Sequence, residues 1–192
     1  MQVKFSISPT LNTEGGMQSV RTPMLMLTKI QGMGLGSGPK AIDASCDGLL
    51  TQAIAEQGFK GGLAEAVTVE LGEGSLQENL VMMGLGSVQE FNPCGLAKVI
   101  GVAIDQTLEK GCRKLSIPVV ANRLTALSLN LLGTAHIVRK AAEQKLAGIE
   151  SDETLEIEFV CTAQAKRHIQ QGLDVACDHR NKQHCCDERN QG

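Results

Sequence analysis

The sequence predicts an α/β fold, a sheet with helices packed on both faces, and three observations carry that reading. Leu80 to Met83 is a short apolar run ended by Gly84-Leu85-Gly86, as a buried strand running into a turn would be. Directly after it comes the best-marked helix of the chain: Asn92 is a good N-cap, Pro93 suits the first helical position, and Leu96, Val99, Ile100, Ala103, Thr107 and Leu108 recur at helical spacing until Gly111 stops it. A strand that is apolar throughout needs cover on both faces, so the rest of the chain has to supply further strands and two layers of helix.

In chain order, Val3 to Ile7 is the first strand, with Val3, Phe5 and Ile7 alternating with polar neighbours. Residues 9–22 read as a loop on Pro9, Asn12, Gly15 and Gly16, and Met24 to Ile30 as the second strand. It leads into Gly32-Met33-Gly34-Leu35-Gly36-Ser37-Gly38-Pro39, where closely spaced glycines would let a backbone approach an anion. No helix is expected to begin at once there and no Lys-Ser/Thr pair follows, so the segment is a flexible connector or a ligand loop but not a P-loop. Ile42-Asp43 then opens a helix with Leu49, Leu50, Ala53 and Ile54 inward and Gly58 at its end. Ala66 to Leu71 and Leu80 to Met83 form two strands joined by the hairpin-like Gly72-Glu73-Gly74-Ser75. After the central helix, Leu115 to Val120 is a strand, Asn122 caps a long helix through Leu124, Leu127, Leu131, Ala135 and Val138, and Leu155 to Val160 is the last strand. Thr162 begins a final helix striped by Ile169, Leu173, Ala176 and Cys177.

Composition excludes several classes. The 192 residues suit one domain with a sizeable core, and a net charge of -3 with both signs mixed leaves no electrostatic footprint for nucleic acid or an anionic membrane. No apolar stretch approaches the roughly 20 residues of a membrane span, and no secretory leader is visible, so a soluble, cytoplasmic protein is expected. The seven Cys are an odd number, several within apolar patterns, and are expected to be reduced thiols. With four Phe and neither Tyr nor Trp, the core has to be built from aliphatic side chains.

The order Ile42-Asp43 to Leu50, Gly58-Phe59-Lys60-Gly61, Val81-Met82-Met83-Gly84-Leu85-Gly86 and the helix from Leu96 resembles the N-terminal domain of the leucyl (cytosol) aminopeptidases, continuing through Leu131-Leu132-Gly133 and Gly172-Leu173. That resemblance implies a macro-like, three-layer fold with a mixed sheet over residues 1–192, the charged segment 178–192 being expected as a disordered tail. It also implies a non-catalytic assembly or regulatory module, a homo-oligomer or a partner of a separate aminopeptidase catalytic chain. The family's Tyr-x-Phe pattern after Gly133 is replaced by Ala135-His136-Ile137, and its metal-binding half has no counterpart. A two-metal hydrolase bridges ions about 3.5 to 4 Å apart, and no ligand set for that appears, so no cofactor and no peptidase activity by this chain alone are expected.

There is no Gly-x-Ser-x-Gly elbow, and His136 reads as a helix histidine before it reads as the base of a Cys-His pair. An alternative function is a macro-type module binding nucleotide or ADP-ribose through Gly34, Gly36, Gly84, Gly86 and Ser87, helped by the capped start of helix 93–110, although no aromatic residue is expected near either loop to stack on adenine. Cys177, Asn181, His184 and Cys185 would share a helical face, and Cys177, His184 and Cys185 are the weak candidates for a soft metal; the plainer reading is a frayed charged tail.

Overall fold

A computed structural model describes residues 1–11, 16–119 and 129–175. Six strands, β1 (Gln2–Ser8), β2 (Thr22–Lys29), β3 (Ala66–Glu70), β4 (Gln77–Gly84), β5 (Lys114–Pro118) and β6 (Thr154–Val160), form one sheet in the order β1-β6-β5-β2-β4-β3. All neighbours are parallel except β3, which runs antiparallel to β4. The helices are α1 (Ser37–Ser45), α2 (Leu49–Glu56), α3 (Pro93–Glu109), α4 (Leu131–Ala147) and α5 (Lys166–Asp174), with a 3-10 turn at Gly16–Ser19. The expected mixed α/β sheet with helices on both faces is what the chain forms.

Strand alternation sorts the core into two. On β2, Met24 and Met26 face α3 and α4, whereas Leu25 and Leu27 face α1 and α2. On β4, Val81 and Met83 join the first cluster, Leu80 and Met82 the second. Each such fully buried side chain contributes about 1.5 to 3 kcal/mol, which is why the central strands read as unbroken apolar runs. The second face changes character over β5 and β6, where Glu156 and Glu158 flank the Lys114 ammonium at 3.7 and 3.0 Å and Ser116 donates to Glu158 at 2.7 Å.

Several local features depart from expectation. The helix expected from Ile42 is two helices, because the chain turns left-handed at Asp47 (φ 52°) and Gly48 (φ 79°). Asp43 does act as a cap, but for α2: its carboxylate accepts the Thr51 N–H at 2.9 Å from inside α1. The helix α1 begins at Ser37, inside the glycine-rich stretch, so its last residues Ser37, Gly38 and Pro39 are the first helical turn and a helix does begin at once there. Asn130, not Asn122, caps α4, its side chain accepting from Gly133 N at 2.7 Å; Asn122, Leu124 and Leu127 lie outside the described residues. The last helix starts at Lys166, one turn after Thr162, whose carbonyl accepts from Ala165 N at 3.0 Å. Asn92 caps α3 as expected, accepting from Gly95 N at 2.9 Å.

Candidate functional site

Parallel strands deliver their carboxyl ends to one edge of the sheet, and a crevice opens there where the chain leaves neighbouring strands toward opposite faces. In this chain that place lies between β2 and β5: β2 continues into α1 on one face, while α4, the next described helix after β5, lies on the other. A cleft of about 360 Å³ occupies it, within the range of small-molecule sites. Its walls come from Met26, Leu27 and Thr28 of β2, Leu85 after β4, Ile117 and Pro118 of β5, and Val138 of α4. No charged side chain lines it among the described residues.

Polar character enters at three points. The N-cap of α1 is Gly36, which has no side chain to accept from the first helical turn, and Ser37, Gly38 and Pro39 of that turn border the cleft. The exposed end of a helix dipole there favours an anion. Thr134 of α4 also lines the cleft; it is 5% exposed, and its Oγ1 has no hydrogen-bond partner among the described residues. A buried hydroxyl left unpaired is uncommon and marks a place where a polar ligand atom would be welcome. Thr162, following β6, completes the rim.

Of the five glycine-loop residues expected to bind ligand, Gly34, Gly36, Gly84, Gly86 and Ser87, none borders the cleft; their neighbours Ser37, Gly38 and Leu85 do. Gly84 is buried at the end of β4 and packed against Gly61 and Gly62, and Ser87 donates to Glu90 at 2.7 Å. The expectation that no aromatic residue lies near either loop is corrected by Phe91, which lines the cleft wall with its N–H bonded to the Ser87 carbonyl at 3.1 Å. It was missed because it falls in the linker before α3, yet one of only four Phe so close to Gly-Leu-Gly was a usable signal. Thr134 left none, since a threonine inside a helical pattern looks like any other.

Among the described residues, the free thiols do not build a nucleophile. Burial raises the Cys46, Cys112 and Cys161 thiols above the ordinary cysteine value, which keeps them protonated. The partners of Cys46 and Cys112 are the Asp43 carbonyl and the Asn79 amide with the Pro23 carbonyl, and His136 Nδ1 is buried without a partner. Burial, then the cations of Lys140 and Arg139, lower the His136 pKa. Cys94, in the first turn of α3, is half-buried and is not one of the free thiols. Among the described residues no three His, Cys, Asp or Glu come together to hold a metal, and Cys177, Asn181, His184 and Cys185 lie outside them. No helix among the described residues is long and apolar enough to cross a membrane.

Comparison with known proteins agrees with this geometry. The family described as cytosol aminopeptidase family, N-terminal domain, matches residues 29–155. A Trypanosoma brucei macrodomain in complex with ADP-ribose superposes with a TM-score of 0.66 at 16% identity, over 88% of this chain and 68% of that one. A variant of the Oceanobacillus iheyensis macrodomain gives 0.65 at 16% identity, covering 89% and 90%. The bottromycin maturation enzyme BotP gives 0.53 at 12% identity, over 79% of this chain but 30% of its own. No curated protein sequence matches.

Proposed function

The chain belongs to the cytosol aminopeptidase N-terminal domain family, and from that premise we propose that it is a macro-type module binding a nucleotide-like small ligand, ADP-ribose or a relative, without peptidase chemistry of its own. The observation that carries this reading is the cleft at the carboxyl ends of β2 and β5, where an uncapped helix start, an aromatic wall and an unpaired buried hydroxyl converge. The phosphates would lie against the Ser37 and Gly38 N–H groups, where backbone donors and helix dipole compensate for the missing cationic side chain. The base would lie against Phe91 and the aliphatic wall, and Thr134 Oγ1 would take a sugar or base hydrogen bond.

A second reading, a non-catalytic assembly or regulatory module that forms homo-oligomers or pairs with a separate aminopeptidase catalytic chain, is favoured by the same lining, because an uncharged apolar cleft also suits a partner's aliphatic side chains. Calorimetry with ADP-ribose, ADP and inorganic phosphate, run beside light scattering, separates the two. Saturable one-to-one binding of ADP-ribose is expected, weakened about tenfold by Phe91→Ala through the lost stacking, while phosphate binding stays unchanged. No heat at millimolar ADP-ribose, with an oligomeric mass by scattering, would overturn the ligand reading in favour of assembly.

A further inference from the structure

We propose that Glu65 is a positioning residue for the cleft rim, its carboxylate filling a bowl of backbone donors that ties the Gly84–Gly86 turn to the start of the Gly32–Gly38 loop. Three successive N–H groups converge on Glu65 Oε2: Lys60 at 3.1 Å, Gly61 at 2.8 Å and Gly62 at 2.7 Å. Backbone N–H groups arranged in this way form an anion-binding concavity, and charge-assisted bonds to a carboxylate are its strongest satisfaction. The segment needs such a clamp. Gly61 has φ 87°, and Ala64 sits at φ 61°, a left-handed conformation that is strained for a residue with a Cβ.

What the clamp holds is not local. The Gly61 carbonyl accepts the Gly86 N–H at 3.0 Å, the Gly86 carbonyl accepts the Gln31 N–H at 3.0 Å, and Leu85 N donates to the Lys29 carbonyl at 2.9 Å. Lys29 Nζ in turn donates to the Lys60 carbonyl at 2.9 Å. A continuous hydrogen-bonded path therefore runs from Glu65 through Gly61 and Gly86 to Gln31, the residue before the glycine-rich loop. Two rim elements adjoin that path: Leu85, between the bonded Gly84 and Gly86, and the loop that leaves Gln31 and ends in Ser37 and Gly38. Glu65 itself is not among the residues lining the cleft. It acts through them.

This inference rests on the cleft being a ligand site, and its test is arranged to fail separately. In the full chain, Glu65→Ala and Glu65→Gln are compared with the parent for ADP-ribose affinity by calorimetry and for exchange of the Gly61, Gly62 and Gly86 amides by NMR, each in chloride and in acetate at equal ionic strength. Glu65→Ala is expected to weaken ADP-ribose about tenfold or more, to speed Gly86 exchange, and to recover both in acetate, which refills the bowl. Glu65→Gln should show a smaller loss and no acetate effect, because its amide still occupies the site. A Glu65→Ala protein with parent-like affinity and parent-like Gly86 exchange, or one whose losses acetate leaves untouched, overturns the proposal. If the parent binds no ADP-ribose, the cleft reading falls alone, and the acetate-dependent protection of Gly86 still decides the role of Glu65. If Glu65→Ala does not fold, parent-like affinity and exchange in Glu65→Gln count against it.

Discussion

Gly84→Ala is the sharpest stability test of how the rim is built. The last residue of β4 faces the turn at Gly61 and Gly62 so closely that a Cβ there would overlap the Gly62 carbonyl oxygen and lie 2.6 Å from the Gly61 carbonyl carbon and 2.9 Å from its oxygen. Ordinary carbon contacts are about 3.5 to 4.0 Å, so the Gly61–Gly62 backbone would have to retreat by about 1.5 Å. That retreat strains three bonds at once: Gly84 N to the Glu65 carbonyl at 2.7 Å, Ala64 N to the Gly84 carbonyl at 2.9 Å, and Gly86 N to the Gly61 carbonyl at 3.0 Å. At about 1 kcal/mol for each bond weakened, with about 1 to 3 kcal/mol for overpacking, the expected loss is about 4 to 6 kcal/mol. For a chain of this size the melting temperature should fall by about 8 to 24 °C, read by calorimetry or circular dichroism and checked by urea denaturation. Gly101→Ala is the control, since a Cβ there meets nothing within 4 Å inside the α3 helix, and it should raise stability by about 0.5 to 1 kcal/mol. If Gly84→Ala melts with the parent, the close approach of the two backbones, and with it the clamp at the rim, is refuted.

Two further outcomes follow from the core and from α4. Ile100 is fully buried between α3 and the sheet, so Ile100→Asp should cost about 3 to 5 kcal/mol by placing an unpaired charge there; a parent-like melting curve would remove α3 from the core. His136 has its pKa lowered by burial and by Lys140 and Arg139, with the Gly172 carbonyl and Glu143 opposing, so the folded state prefers the neutral ring. Its contribution is present above the ordinary value of 6.5 and is lost as pH falls below it toward the lowered folded-state value. The parent should therefore lose more stability than His136→Gln between neutral pH and pH 5, and parallel pH profiles for the two proteins would contradict this.

How much of this was legible in the sequence depends on how far each cause sits along the chain from its effect. Asn92 and Pro93 marked the start of α3 because a cap acts within three residues, here on Gly95. Gly72 to Ser75 marked the β3–β4 hairpin for the same reason, with Gly72 and Gly74 both left-handed. The break between α1 and α2 was hidden, since apolar spacing runs on through it and Asp43 looks like an N-cap until its reach to Thr51 is seen. The cleft was less legible still, because Met26, Leu85, Phe91, Ile117 and Thr134 meet only through a sheet whose order is not the chain order. Gly84 shows the limit most clearly. A glycine after an apolar strand announces that something comes close to the backbone, and the sequence leaves open whether that is a phosphate or the protein itself. At Gly84 it is Gly61 and Gly62, more than twenty residues earlier in the chain. The site that a ligand could reach is displaced to Leu85 on one side and to Ser37 and Gly38 on the other, so the glycines serve as the hinges of the rim and the residues beside them as its surface.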